Sequence, residues 1–128
     1  MPAWEEYKAE ARERGSLAHE VFVVVSTPTA GHEAVKANLA DHLGYIRSLE
    51  TNGSLMFAGP LSDESGTQMQ GIGMLILRAQ TFDDAKTLAE NDPMHVSGAR
   101  SFTLRKWLIN EGSLTVSVNL AGQRVGLT

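Results

Sequence analysis

A histidine within a helical apolar stripe is the first residue of this sequence whose type and position suit chemistry. Apolar residues recur at steps of three and four, the period of an amphipathic helix, at Val35, Leu39, Ile46 and Leu49. His42 occupies the gap in that stripe, ahead of a short apolar strand that reaches Gly59-Pro60. A histidine in this place is either a satisfied core residue or the base of a pocket.

A carboxylate that could orient this histidine lies in the segment Asp92-Pro93-Met94-His95, which follows a second helical pattern. We expect both segments at one end of the sheet, near Gly59. A carboxylate that accepts Nδ1–H fixes the imidazole tautomer and stabilises the imidazolium formed when Nε2 takes a proton. With no serine or cysteine elbow nearby, such a pair suits proton abstraction or shuttling rather than acyl transfer. The alternative is that Asp92 only caps the turn after Pro93.

Five other side chains are weaker candidates. His19 and His32 stand at the starts of elements, where exposure to solvent is the common outcome. Arg47, His95 and Arg105 are candidate contacts for an anionic ligand, although solvated basic side chains are the ordinary case.

Cofactor and metal sites have no supporting pattern. Asp92 and His95 lie three residues apart and His42 could join them, but this is no recognised metal-ligand spacing. Gly71 and Gly73 lack the third glycine and the following helix of a nucleotide motif, so we interpret them as a bulge or a close backbone approach. We therefore expect neither a metal nor a cofactor.

Composition sets further limits. The chain of 128 residues fits one domain, and its 42% hydrophobic and 20% charged residues are those of a globular protein. A net charge of −4 argues against a nucleic-acid partner. The absence of cysteine excludes disulfides and thiolate catalysis. The apolar runs are too short to span a bilayer and no signal peptide is evident, so a cytoplasmic protein is expected.

The elements that must position these residues follow from periodicity. Alternation predicts five strands, at residues 19–26, 54–58, 71–78, 101–109 and 114–120. Helical patterns cover residues 2–14, about 30–51, and the segment from a cap at Thr81 to Asp92. Thr29 is expected to cap the long helix, and Gly59-Pro60 to end the second strand. The tail after the fifth strand is expected to be loosely held.

This order predicts an α+β fold of the ferredoxin-like split βαβ type (βαββαβ) with an antiparallel sheet. We expect the first and third strands to be central and parallel to each other, with both helices on one face. The other face would expose Phe22, Val24, Trp107 and Ile109, which predicts a homodimer with sheets face to face and leaves assembly beyond the dimer open. Residues 19–110 would form this fold, with a helical extension at 1–18 and a strand and tail at 111–128.

Three segments carry a resemblance to a known family. DHLGYIRSLETNGSLMFAGPL, AENDPMHVSGA and FTLRKW, within about residues 19–109, resemble the YciI-like family of the dimeric α+β barrel superfamily. The resemblance implies a barrel made from two paired sheets, with His42 and Asp92 at the active site and Gly59-Pro60 lining the pocket. It also implies chemistry on small rings, since relatives eliminate chloride from chlorinated hydroxyquinol-type aromatics or isomerise muconolactones.

The leading hypothesis is thus a cofactor-independent lyase or isomerase acting on a small cyclic or aromatic metabolite. His42 would be its general base or acid and Asp92 its orienter, with Met94 and His95 beside the pocket. A second hypothesis is a dimeric binding or accessory module that holds a small ligand without transforming it. A third is that His42 and Asp92 form a buried structural pair, which predicts a large stability loss when either is replaced.

Overall fold

The computed structural model describes residues 1–128, which form four helices and six strands. The helices are α1 (Trp4–Glu13), α2 (His32–Thr51), α3 (Phe82–Glu90) and α4 (Pro93–Val96). The strands are β1 (His19–Pro28), β2 (Leu55–Ser62), β3 (Met69–Leu77), β4 (Arg100–Ile109), β5 (Val116–Asn119) and β6 (Arg124–Leu127). The chain divides into two compact units, residues 20–107 and residues 1–19 with 108–128. None of its helices has the length and apolar character needed to cross a bilayer.

The larger unit is built on a four-stranded sheet in the order β2-β3-β1-β4. With α2 between β1 and β2 and α3 between β3 and β4, this is the ferredoxin-like split βαβ arrangement, as expected. β1 and β3 are the central strands, but they pair antiparallel, so the expectation that they run parallel is wrong. The crossover through α2 gives β1 and β2 the same direction, and the β2–β3 hairpin then reverses the chain.

The core lies between one face of this sheet and the helices. Phe22 and Val24 of β1 pack there with Leu49 of α2 and with Ala85 and Ala89 of α3. The expectation that Phe22 and Val24 lie on the open face is therefore wrong. Because β1 is apolar on both sides, its alternation alone could not show which set of side chains faces the helices.

The face of the sheet turned away from the helices, here called the open face, carries a groove. It is lined by Val23, Val25, Met74, Thr103, Arg105, Lys106 and Trp107. Trp107 is 43% exposed, and it lies on the open face as the sequence predicted. A large aromatic side chain held at an exposed sheet face is typical of a surface that contacts another protein.

Two local predictions differ from the structure. The N-cap of α2 is Gly31 with φ +88°, and Thr29 instead donates its hydroxyl hydrogen to the Gly98 carbonyl at 3.0 Å. The predicted Thr29 cap is thus wrong. β2 continues through Gly59-Pro60 to Ser62, because it is an edge strand, and an edge strand tolerates the missing N–H of proline.

The start of α3 is as predicted. The Thr81 hydroxyl accepts a hydrogen bond from the Asp84 backbone N–H at 3.0 Å, which satisfies one of the free donors of the first turn. After Glu90 the chain leaves the helix, and Pro93 begins the single turn of α4.

The smaller unit contains α1 and the C-terminal hairpin. Trp4 and Tyr7 pack around Ala11, Ala18 and Leu108, so α1 docks through its two aromatic residues as expected. The segment that was expected to be a loose tail is instead β6, which pairs antiparallel with β5 over residues 124–127. A two-stranded hairpin satisfies its own backbone groups along the shared edge, which the alternation of one strand could not reveal.

Candidate active site

The structure brings the two principal sequence candidates into direct contact. His42 Nδ1 lies 2.9 Å from both carboxylate oxygens of Asp92. Asp92 is only 3% exposed, whereas the His42 side chain is 23% exposed. A buried carboxylate therefore holds an imidazole that still reaches solvent or a ligand.

Asp92 is positioned by the turn that it caps. Its Oδ1 accepts the Met94 backbone N–H at 2.9 Å, and Pro93 occupies the first position of α4, where a missing N–H costs nothing. The capping role and the contact with His42 thus coexist in one side chain. The short turn fixes the carboxylate, and the carboxylate then fixes the imidazole.

The contact assigns the tautomer of His42. An ionised carboxylate can only accept hydrogen bonds, so the imidazole Nδ1 carries the hydrogen. In the neutral ring Nε2 is then an acceptor, and it has no hydrogen-bond partner in the protein. An imidazole in this state can take a proton at Nε2, and Asp92 stabilises the cation that results.

His42 opens onto a pocket of about 430 Å³ between α2 and the β2–β3 edge of the sheet. Most of its walls are apolar. The side chains and backbone that line it belong to Ser26, Val35, Leu39, His42, Leu43, Ile46, Ala58, Gly59, Pro60, Met69, Gly71, Ile72, Gly73, Met74, Leu75, Met94 and Arg100. Only Ser26, His42 and Arg100 contribute polar side chains, a combination suited to a small, mostly apolar ligand with a few polar groups.

Ser26 and Arg100 belong to a second hydrogen-bonded network. Arg100 Nε donates to Ser26 Oγ at 2.9 Å, and Ser26 Oγ lies 2.8 Å from His95 Nε2. His95 Nδ1 lies 2.7 Å from the Ala89 carbonyl, which can only accept. His95 therefore carries a hydrogen on Nδ1, and in the neutral ring its Nε2 accepts the Ser26 hydroxyl hydrogen.

A bulge in β3 completes the arginine's surroundings. One terminal nitrogen of Arg100 donates to the Ser26 carbonyl at 2.7 Å and also to the Gly71 carbonyl. Gly71 has φ +78°, and a Cβ there would lie 3.1 Å from Cγ of Pro28. A side chain at this position would be both strained and crowded, so glycine is needed where the Gly71 carbonyl meets the guanidinium. This agrees with the interpretation of Gly71 as a bulge with close backbone approach.

Burial and the Asp92 charge also act on two neighbouring groups. Burial lowers the pKa of Arg100, and the negative charge of Asp92 opposes that change. Burial raises the pKa of Tyr45, and Asp92 raises it further. The Tyr45 hydroxyl donates to the Leu88 carbonyl at 2.6 Å. The raised pKa favours the neutral phenol of Tyr45, whereas the lowered pKa of Arg100 works against its charge; an arginine nevertheless stays charged at neutral pH.

The remaining sequence candidates divide between the pocket and other surfaces. Gly59, Pro60 and Met94 line the pocket with His42. Arg47 is exposed on α2 and does not line it, and Arg105 lies in the groove on the open face of the sheet.

His95 lies behind the pocket rather than in its lining. Both of its ring nitrogens are engaged by protein groups, and its ring lies 4.7 Å from that of Phe102 between centroids. His42, Asp92 and His95 therefore do not converge, and no set of three histidine, cysteine, aspartate or glutamate side chains is placed to hold a metal.

Sequence reasoning missed Ser26 and Arg100. Ser26 continues the alternation of Phe22 and Val24, so it is a hydroxyl at a position where the pattern calls for an apolar residue, and it is 5% exposed. That break was a usable signal. Arg100 begins β4 one residue before the predicted start, and nothing local distinguishes it from a surface arginine.

Comparison with known proteins identifies the family of the chain. A sequence model of the YCII-related domain matches residues 21–108. The uncharacterized protein YjpA of Bacillus subtilis (strain 168) is 24% identical over 74 residues, which are 58% of this chain and 80% of YjpA.

A solved structure is also similar. The 5-chloro-2-hydroxyhydroquinone dehydrochlorinase TftG of Burkholderia phenoliruptrix AC1100, in complex with 2,5-dihydroxybenzoquinone, superposes with a TM-score of 0.57 at 25% identity. The similarity covers 68% of this chain and 92% of TftG. The matched sequence includes both segments that form the His42–Asp92 contact. The chain therefore belongs to the YCII-related domain family.

Proposed function

We propose that this protein is a lyase or isomerase in which His42 transfers a proton to and from a small cyclic or aromatic metabolite. The observation that carries the proposal is the contact of His42 Nδ1 with both Asp92 oxygens at 2.9 Å, which leaves Nε2 unpartnered at an apolar pocket. The similarity to a dehydrochlorinase supports the reaction class. Asp92 orients the imidazole and stabilises its protonated form.

The chemistry balances with the imidazole as the only proton carrier. His42 Nε2 removes a proton from the ring substrate, and the electron pair left behind either expels a leaving group from an adjacent atom or moves along the ring. In the first case the products are the eliminated anion and an unsaturated ring, and the imidazolium then releases its proton to water. In the second case the imidazolium returns the proton at another position, which is an isomerisation. General acid–base catalysis of this kind contributes roughly 10²- to 10⁴-fold to a rate.

The test measures the turnover of chlorinated hydroxyhydroquinones and small lactones by His42→Gln. Chloride release and ultraviolet absorbance are the readouts. We expect a loss on the order of 10²- to 10⁴-fold relative to the parent protein. His32→Gln is the matched control, because His32 is exposed at the start of the same helix and does not line the pocket. Equal turnover of His42→Gln and the parent would refute the role of His42.

The binding-module alternative is favoured by the same apolar walls, which suit a ligand whether or not it reacts. A ring compound that raises the melting temperature of the protein and is recovered chemically unaltered would support it. Release of chloride, or a ring recovered with a shifted double bond, would exclude it for that compound.

We also propose that two copies pair through the open face of the sheet. Support comes from Trp107, which is 43% exposed beside the half-buried Val23, Val25 and Met74, and from the family fold. Trp107→Glu should convert the protein from dimer to monomer in light scattering coupled to size exclusion, because a charge would be buried without a partner. Phe82→Glu is the control, since Phe82 is similarly exposed, at 39%, and lies on α3. A dimer that persists in Trp107→Glu would contradict this surface.

A further inference from the structure

Arg100 brings a positive charge to the pocket, and its direct protein partners are neutral. Its guanidinium donates to the hydroxyl and carbonyl of Ser26 and to the carbonyl of Gly71. It forms no salt bridge, whereas the one carboxylate near the site, Asp92, is in contact with His42. The guanidinium is thus held firmly in place without being neutralised at close range.

Part of the guanidinium also lacks hydrogen-bond partners. An arginine has five N–H donors, one on Nε and two on each terminal nitrogen. Nε and one terminal nitrogen supply all of the bonds to Ser26 and Gly71, so the other terminal nitrogen has no protein acceptor. Since Arg100 lines the pocket, these two donors are available to a ligand beside His42.

The charges at the pocket indicate that such a ligand would be an anion during the reaction. The proposed proton transfer starts from an ionised Asp92, a neutral His42 and a positive Arg100. When His42 takes a proton it forms an ion pair with Asp92, and the substrate that lost the proton becomes an anion. Arg100 is then the group that balances that anion, and in an apolar pocket such a pairing is stronger than in water.

We propose that Arg100 binds an ionised oxygen on the ring of the ligand, so that the pocket selects acidic hydroxylated rings of the phenol or enol type. This rests on the proposed function, because it assigns the anion contact at the pocket of His42. A charge-assisted hydrogen bond from a guanidinium is short and directional, which fits recognition of one oxygen at a fixed place on a ring. Arg100 thus takes the role for which the sequence suggested Arg47, His95 and Arg105.

The test compares two ligands of nearly equal shape by calorimetry. 2,5-Dihydroxybenzoquinone is acidic, and its 2,5-dimethoxy analogue cannot ionise. We expect the parent protein to bind the acidic ring on the order of 10- to 100-fold more tightly. Arg100→Met should reduce this preference to about one, whereas Arg100→Lys should retain part of it because the charge remains.

Arg47→Met and Arg105→Met are matched controls, since each removes one arginine that does not line this pocket. Both should keep the preference of the parent protein. Backbone amide spectra of each variant establish that it is folded. If Arg100→Met does not fold, the preference of the parent and of Arg100→Lys decides the matter.

A parent protein that binds both rings equally, or an Arg100→Met variant that keeps the full preference, would overturn the role of Arg100. Neither result touches the role of His42, which is judged by the turnover of His42→Gln. Conversely, a full preference that disappears in Arg100→Met would stand even if His42→Gln reacts like the parent. In that case the pocket would be an acidic-ring binding site without the proposed proton transfer.

Discussion

Two histidines, His42 of α2 and His95 of α4, are held in opposite ways, although each lies near the same pocket. His42 has one nitrogen on a carboxylate and the other without a partner. His95 has both nitrogens on neutral groups, the Ala89 carbonyl and the Ser26 hydroxyl. A ring with one free nitrogen can exchange a proton with a ligand, and a ring with two occupied nitrogens can only hold its neighbours in place. Position near a pocket is therefore a weaker guide to function than the count of free acceptors.

The largest expected effect comes from changing the partner of His42 without emptying its place. In Asp92→Asn the amide oxygen can still accept the Met94 N–H, which turns the amide nitrogen toward His42 Nδ1. The amide nitrogen in the place of Oδ2 can only donate, which favours the ring with its hydrogen on Nε2, and the neutral amide no longer balances an imidazolium. Turnover should fall on the order of 10²- to 10⁴-fold in a folded protein.

Long-range proton–nitrogen spectra of the imidazoles check this directly. They should show hydrogen on Nδ1 of His42 in the parent protein and on Nε2 in Asp92→Asn, while His95 is unchanged. Asp41→Asn, at an exposed position next to His42, serves as the control for the loss of one charge. A variant with the parent tautomer and reduced turnover would show that Asp92 acts by another route.

A smaller effect on turnover is expected from breaking the hydrogen-bonded network of Arg100, Ser26 and His95 at Ser26. Ser26→Ala removes the donor to His95 Nε2 and one acceptor of Arg100, in a site where Ser26 is 5% exposed. Leaving a buried acceptor unsatisfied costs about 1–3 kcal/mol in the free energy of unfolding, measured by urea denaturation. Turnover should change by less than in Asp92→Asn, because His42 keeps its partner.

Ser48→Ala is the matched control for that substitution. The Ser48 hydroxyl donates to the Tyr45 carbonyl at an exposed position on α2, so its loss should change the free energy of unfolding by roughly 0.5 kcal/mol or less. If Ser26→Ala were as mild as Ser48→Ala, the network around His95 would carry little of the stability assigned to it.

The smallest effect is expected at Tyr45, whose pKa is raised by burial and by the charge of Asp92. Tyr45→Phe loses the bond to the Leu88 carbonyl, a cost of about 1 kcal/mol at neutral pH. Since folding raises the pKa of Tyr45, the folded state holds the phenolic proton more tightly than the unfolded state does. This contribution to stability is complete below the ordinary tyrosine pKa of 10.0 and is lost as the pH rises through the folded value.

The stability difference between the parent protein and Tyr45→Phe should therefore shrink at alkaline pH. Urea denaturation at neutral pH and above pH 10 measures it. A difference that stays constant, or grows, across that range would contradict the direction of the pKa shift.

The sequence predicted what depends on local pattern and chain order. The element order led to the correct sheet, and the Thr81 cap and the turn after Asp92 were found from residue type alone. His42 and Asp92 were brought together by the argument that both segments meet one end of the sheet. That inference worked because a βαβ crossover leaves few choices for where a helix crosses its strands.

What could not be predicted depends on contacts between distant segments. Both faces of β1 are apolar, so the side that meets the helices is set by the whole sheet rather than by Phe22 or Val24. Arg100 is distinguished from Arg47 only by the tertiary fold, which brings it to Ser26 and to the bulge at Gly71. Strand β6 lacks a strong alternating pattern and is stabilised by pairing with β5.

Because Asp92 also caps α4, hydrogen exchange at the Met94 amide can be used to observe the state of the site. The Met94 amide hydrogen is bonded to the same Asp92 carboxylate that orients His42, so its protection from solvent exchange depends in part on the position of that carboxylate. Its exchange rate thus measures how often the four-residue turn opens and leaves the imidazole without its partner. The exchange rate of this one backbone proton, measured without any substrate, indicates the fraction of molecules in which His42 is oriented for reaction.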